Sequence, residues 1–206
     1  TFKDLSREIG KEKVIWRFDP LILMGNMMVP DLLARIKRVG QEIYEDTSKL
    51  VVSFVDIKAY KRVERNLQRK RLDCRELTTS DINELAKGLQ ELNQSWDLAL
   101  ATCSEGYNLS TFGIQPNKCI DDQLMLRLFP HDQELMAFLQ QANDLKDKGQ
   151  RVLCGCIVSK DIGQYNTCLN LCAYCYANHS QKTVEANFSC IKKLGWNSAT
   201  IIPETI

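Results

Sequence analysis

Apolar and polar positions follow two periods along this chain. The run Lys13-Val14-Ile15-Trp16-Arg17-Phe18-Asp19-Pro20 is short, largely apolar and stopped by Asp-Pro, which predicts a buried strand. Leu50-Val51-Val52-Ser53-Phe54-Val55-Asp56-Ile57 is apolar nearly throughout, as strands are when both faces of a parallel sheet are covered. Residues 97–103 and 152–158 predict two further strands, the second carrying Cys154 and Cys156. Between them the spacing turns helical. Pro30 and Asp31 open a helix with Leu32, Leu33, Ile36, Val39 and Ile43 on one face. Ser80 or Asp81 caps another, with Ile82, Leu85, Ala86, Leu89 and Leu92 as its stripe. Helical spacing recurs over residues 121–129, 132–145 and 182–194, and residues 2–9 are amphipathic. Gly106, Gly113 and Pro116 mark a polar loop leading to Cys119.

Strands alternating with helices predict an α/β fold with parallel strands, an arc of a (βα) barrel. The expected organisation is a single domain over residues 1–206. Residues 1–150 would supply the βα units, 151–180 a cysteine-rich segment near the C-terminus, and 181–206 a closing helix and tail. The chain opens at Thr1 inside an amphipathic stretch, so the expectation is of a domain truncated at its N-terminus.

Composition narrows the classes. Apolar residues make up 44% and charged residues 26%, a globular balance that argues against general disorder. No stretch reaches about 18 uninterrupted apolar residues, so no membrane span is expected. A formal net charge of +1 argues against wholesale steering toward nucleic acid. Residues 58–75 carry eight Lys and Arg against two acids, and Tyr60, Val63 and Leu67 give the segment helical spacing. Without an aromatic platform it reads first as a solvated helix face and only second as a phosphate-binding patch.

Cysteine changes the picture. There are nine, an odd number that excludes complete pairing, and five fall between Cys154 and Cys175. A chain of this size needs no disulfide staples, so clustered thiols point to metal binding and a cytoplasmic setting. Cys168-Leu169-Asn170-Leu171-Cys172-Ala173-Tyr174-Cys175 has the spacing C-x3-C-x2-C with an aromatic residue before the last cysteine. Three thiolates on one loop can hold three irons of a [4Fe–4S] cluster and leave the fourth open. An open iron is what S-adenosylmethionine needs in order to chelate the cluster and be cleaved reductively to a 5′-deoxyadenosyl radical. Such chemistry calls for a reductant such as flavodoxin or ferredoxin and for a substrate, small or macromolecular, that the sequence does not reveal. Zinc competes, because His179 lies four residues beyond Cys175, and so does a four-thiolate electron-transfer cluster fed by the surplus cysteines.

The motif at Cys168, Cys172, Tyr174 and Cys175 resembles the cluster loop of the radical S-adenosylmethionine superfamily. The wider string from Cys154 through Asn178 resembles an uncharacterised bacterial family, domain of unknown function eighteen forty-eight. Val14-Ile15-Trp16-Arg17-Phe18-Asp19-Pro20, Ser53-Phe54-Val55-Asp56 and Lys118-Cys119-Ile120-Asp121 also match strings of that family. The superfamily usually carries its cysteines after the first barrel strand. The resemblance therefore implies a barrel that is partial or permuted, with the cluster loop arriving late and Tyr174 packing on the adenine side of the cofactor.

Four more cysteines, Cys103, Cys119, Cys154 and Cys156, are the number that a second cluster or a structural zinc would take. On a strand, Cys154 and Cys156 would share one face. Arg17 and Asp19 at the end of the first strand, and Asp56 after the second, are candidates for contacts to cofactor carboxylate or ribose. Structural Arg–Asp pairing competes with that role. Cys74, Cys190 and His131 read as ordinary residues.

Overall fold

The computed structural model describes residues 1–141, 145–194 and 201–202. It divides into two compact units. The first comprises Thr1–Val55 and Arg75–Ser159, and the second Asp56–Cys74 and Lys160–Ile206.

A four-stranded parallel sheet organises the first unit. Strands β1 (Trp16–Leu21), β3 (Lys49–Phe54), β5 (Ala99–Thr102) and β6 (Ile114–Pro116) lie side by side in chain order. Two short strands, β2 (Leu23–Met24) and β4 (Cys74–Arg75), stand outside it. The continuous apolar run of β3 has the predicted cause: Leu50, Val51 and Val52 are all buried, so neither face of this inner strand meets water. The register aligns Arg17 with Val51, and Val51 with Ala101.

Helices α2 (Val29–Ile43) and α4 (Thr79–Asn93) follow β1 and β3 in the chain and pack on each other. Helix α2 buries Val29, Leu32, Ile36 and Gly40, a stripe spaced by three and four residues. Its first turn carries Pro30, and the Asp31 carboxylate accepts the Met28 N–H at 2.9 Å. The cap of α4 is Thr78 rather than Ser80 or Asp81. Its hydroxyl accepts the Asp81 N–H at 3.2 Å, while the Asp81 carboxylate accepts the Thr78 N–H at 2.8 Å. This reciprocal box satisfies two donors that the helix leaves unpaired, so Asp81 belongs to the third helical position. Trp16 and Trp96 meet edge to face over Gly40, their ring centroids 5.6 Å apart.

Helices α1 (Phe2–Ile9), α5 (Asp122–Leu128) and α6 (Gln133–Gln141) agree with the helical spacing, although residues 142–144 of the expected 132–145 helix lie outside the described residues. Two expectations need correction. The polar loop conceals β6, three residues pinned by buried Ile114 opposite Leu100. Conversely, residues 152–158 form no strand. Val152 and Leu153 are exposed, and the Cys154 N–H turns back to the Arg151 carbonyl at 2.9 Å. Only Ile157 makes a bridge, to Lys146. A run with half its apolar residues in water has no burial to hold it in a ladder.

The second unit contains helices α3 (Lys61–Arg69) and α7 (Gln181–Leu194), with the cysteine loop preceding α7. Val63 and Leu67 of α3 and Val184 of α7 are buried, which accounts for the helical spacing of the basic segment. Tyr60 and Tyr176 stack at 5.8 Å. The expected tail beyond α7 falls largely outside the described residues.

Candidate functional site

The loop of the second unit is shaped by asparagines at its two ends. Asn166 sits at φ 61°, a left-handed conformation that asparagine tolerates better than most residues. Its N–H reaches the Ala177 carbonyl at 3.2 Å, its side-chain oxygen accepts the His179 N–H, and its carbonyl accepts from Asn187 of α7 at 3.0 Å. Asn178 closes the other end. Its side-chain amide donates to the Cys168 carbonyl at 2.8 Å and its N–H to Cys175 Sγ at 3.4 Å. Between these ties the chain turns tightly, with Cys175 N–H on the Cys172 carbonyl at 3.2 Å. Leu171 is held at φ 49° just before Cys172. That conformation costs a branched L-residue about 1–2 kcal/mol, so the surrounding bonds fix the loop against a local preference.

The loop leaves Cys168 and Cys172 exposed, and Cys175 and Tyr174 half-buried. A cleft beside it is lined by Asn66, Arg69, Lys70, Leu171, Cys172 and His179. Lys70 reaches the Leu171 carbonyl at 3.5 Å, so cationic groups of the basic segment stand next to Cys172. The Asn178 side-chain oxygen is buried without a partner, a polar atom left over at the loop. Asp56 accepts the Ala59 N–H at 3.2 Å and so shapes the turn into α3. His131 is exposed beside α6.

The first unit gathers another set. Arg17 and Asp19 lie within β1, which runs on to Leu21, instead of closing it. Alternation along the strand turns both to one face. There Arg17 forms an ion pair with Asp19, donates to Cys119 Sγ at 3.0 Å and is also hydrogen-bonded to Cys103. Cys103 follows the end of β5, and Cys119 lies three residues past β6, so adjacent parallel strands deliver them to one place. Their sulfurs are 3.3 Å apart. Asn117, 5% exposed, directs its amide nitrogen at Cys119 Sγ from 3.6 Å.

Cys154 and Cys156 are buried at the same place despite the missing strand. Cys156 Sγ accepts the N–H groups of Cys119 and Ile120 at 3.1 and 3.4 Å, and Cys154 and Cys156 are hydrogen-bonded to each other. The electrostatics separate Cys103, Cys119 and Cys156. The hydrogen bond from Cys103, with help from Arg17, overcomes burial and holds the Cys119 thiol well below its ordinary value. The same bond, then burial, pushes Cys103 up. Burial pushes Cys156 up as well. Burial works against the Arg17 cation, but its bonds to Asp19, Cys103 and Cys119 outweigh it and strengthen the charge. Cys119 is therefore the anionic member, while Cys103 keeps the proton.

The structure thus brings together Arg17, Asp19, Cys103, Cys119, Cys154 and Cys156, and separately strings Cys168, Cys172, Tyr174 and Cys175 along one loop. Asn166 shapes the loop that presents Cys168, as its place in the sequence suggests. Sequence reasoning passed over Asn117 and the role of Asn178, whose signal was their place two or three residues from a cysteine. Among the described residues, no three or more His, Cys, Asp and Glu side chains converge as a single metal ion requires. A [4Fe–4S] cluster makes a different demand, since each thiolate takes its own iron.

The sheet and its two cysteine-bearing regions define an α/β protein rich in cysteine. The family model described as Domain of unknown function (DUF1848) matches residues 1–177, and the chain belongs to this family. The match includes Cys168, Cys172 and Cys175. No curated protein and no solved structure matches the chain. Among the described residues, no helix is long and apolar enough to cross a membrane.

Proposed function

We propose that this protein is an iron–sulfur protein of the radical S-adenosylmethionine type, with Cys168, Cys172 and Cys175 as the cluster ligands. The observation that carries the reading is the C-x3-C-x2-C loop with Tyr174 before its last cysteine, its turn tied at both ends by Asn166 and Asn178. The donor set suits the group: three thiols from one short segment, with no fourth cysteine in that loop to close the last iron. When bound, such a cluster supplies an open iron for the amine and carboxylate of S-adenosylmethionine, and an electron for its cleavage to methionine and a 5′-deoxyadenosyl radical.

The chain's own residues have distinct tasks in this reading. Asn178 fixes the distance between the first and last ligands through its bonds to Cys168 and Cys175. Arg69 and Lys70 line the cleft beside Cys172 and offer positive charge for the cofactor's carboxylate. Tyr174 offers an aromatic face to the adenine. We read the parallel sheet, whose strands run in chain order, as an arc of a (βα) barrel. The chain's setting in this reading is cytoplasmic, with flavodoxin or ferredoxin as reductant.

Anaerobic reconstitution tests the proposal. The expected product holds about four irons and four sulfides per chain in this loop. Its EPR signal changes when S-adenosylmethionine is added to the reduced protein, and 5′-deoxyadenosine accumulates. Serine at Cys168, Cys172 or Cys175 abolishes all three. Zinc without iron or sulfide after anaerobic purification, or an intact cluster indifferent to S-adenosylmethionine, overturns it and favours a structural zinc or closed electron-transfer module.

A further inference from the structure

We propose that Cys119 and Cys103 form a redox-active dithiol that exchanges with a partner disulfide, Cys119 attacking and Cys103 resolving. The site lies wholly in the first unit and does not depend on the cluster reading.

Geometry selects this pair from nine cysteines. The two sulfurs are 3.3 Å apart. That is the spacing of a sulfur–sulfur hydrogen bond. Closing it to the bonded length of about 2.05 Å asks for side-chain rotation, with the sulfurs already in contact. The two residues differ in the way that the two roles require. Cys119 is exposed, so an incoming disulfide can reach it, while Cys103 is half-buried behind it. Arg17 and Asn117 both aim donors at Cys119 Sγ and stabilise negative charge on the attacking sulfur. Cys156 is also hydrogen-bonded to Cys119, but its sulfur is buried and so is out of reach of an incoming disulfide.

The exchange balances without a further reagent. The Cys119 thiolate attacks one sulfur of a disulfide RSSR and expels RS⁻, leaving a mixed disulfide. Cys103 then gives up its proton and attacks Cys119 Sγ, forming the Cys103–Cys119 bond and expelling the second RS⁻. The pair loses two electrons and the one proton of Cys103; RSSR takes up both electrons as two RS⁻, which are protonated by that proton and by one from water. In a reducing compartment such a bond is transient, the usual circumstance of redox-sensing and catalytic disulfides.

The test is a redox titration of the full chain, purified anaerobically, in mixtures of reduced and oxidised glutathione. Acid quenching, alkylation and tryptic peptide mapping follow. Cleavage after Lys118 puts Cys103 and Cys119 on separate peptides, so their bond appears as a joined pair. The expected result is that pair, reversed by dithiothreitol, with Cys119 oxidised about ten-fold faster than Cys74, whose thiol burial pushes up. Cys103→Ser should trap Cys119 as its glutathione mixed disulfide, and Cys119→Ser should leave Cys103 reduced in the same buffer. Mapping the unmodified chain is decisive even if a variant misfolds. Pairing of Cys119 with Cys154 or Cys156 overturns the proposal. So does joint protection of Cys103, Cys119, Cys154 and Cys156 by stoichiometric zinc or iron that a chelator releases. Iron content at Cys168, Cys172 and Cys175, read on the same sample, reports separately on the cluster.

Discussion

Asn178 ties Cys168 to Cys175: its side-chain amide holds the Cys168 carbonyl at 2.8 Å while its own N–H points at Cys175 Sγ. One residue thereby sets the separation of the first and last cysteines of the motif, ten and three positions upstream. Asn178→Ala removes the side-chain bond and leaves the backbone one. A neutral hydrogen bond is worth about 1 kcal/mol, so the loop should hold the proposed cluster with correspondingly less rigidity. The expected outcome is iron loss to a chelator about five-fold faster than in the unaltered chain. Unchanged release would place the organisation of the loop elsewhere, in Asn166.

Two helical glycines make a contrasting pair. A Cβ on Gly40 would lie 2.4 Å from the Trp96 ring and 3.0 Å from Trp16, both buried and neither able to swing away. A Cβ on Gly88 would meet only the methyl end of Leu33, a half-buried side chain that can rotate. Alanine gains about 1 kcal/mol over glycine within a helix. Overpacking a rigid core costs about 1–3 kcal/mol. Gly40→Ala should therefore destabilise by up to about 2 kcal/mol, whereas Gly88→Ala should be neutral or stabilise by up to about 1. Urea unfolding of the two variants side by side checks the order, and a reversal would mean that the tryptophan pair is looser than its packing indicates.

The same packing explains which parts of the fold were legible in the sequence. Strands β1, β3 and β5 were: β3 and β5 as buried apolar runs, and β1 as an alternating strand, not the fully buried one expected, which buries Trp16 and Leu21 and turns Arg17 and Asp19 outward. Strand β6 was hidden, since three residues between Gly113 and Asn117 carry no period of their own and gain their place from Leu100 across the ladder. Residues 152–158 failed in the opposite sense, being apolar in composition but exposed at Val152 and Leu153. The loop motif at Cys168–Cys175 is local and could be read from spacing. The meeting of Cys103 with Cys119 is set by parallel pairing of β5 with β6, a relation between distant segments that no local pattern encodes.

Thr47 is a buried hydroxyl that joins two segments. It donates to the Val14 carbonyl at 2.6 Å, just ahead of β1, and accepts the N–H of Lys49, where β3 begins. Thr47→Val keeps the shape but leaves the Val14 carbonyl without this donor, at a cost of about 1–3 kcal/mol. Thr47→Ser keeps the bond and loses only a methyl, about 1 kcal/mol. Denaturant midpoints should therefore fall further for valine than for serine, with unchanged slope. The opposite order would assign the stability to the methyl contact.

Asp81 links helix capping to pH. Its carboxylate accepts from Arg75 at 2.6 Å and from the Thr78 N–H at 2.8 Å, and these bonds, the Arg75 one foremost, hold it well below the usual carboxylate range. A folded-state value depressed below the unfolded one favours the folded chain wherever the group is ionised in both states. The contribution is therefore complete above the unfolded aspartate value of about 4 and is lost as pH falls toward the folded value. Asp81→Asn retains the side-chain shape without the charge and should cost about 1 kcal/mol at neutral pH, the size of a cap, since the partly exposed Arg75 adds little beyond it. The difference between the two proteins should stay level from about pH 8 to pH 5 and shrink steadily below about pH 4. Thr78→Ala should give a loss of similar size, because it removes the reciprocal half of the box. A difference that persists undiminished at pH 3 would show that the box works through shape alone and that the carboxylate charge contributes nothing to α4.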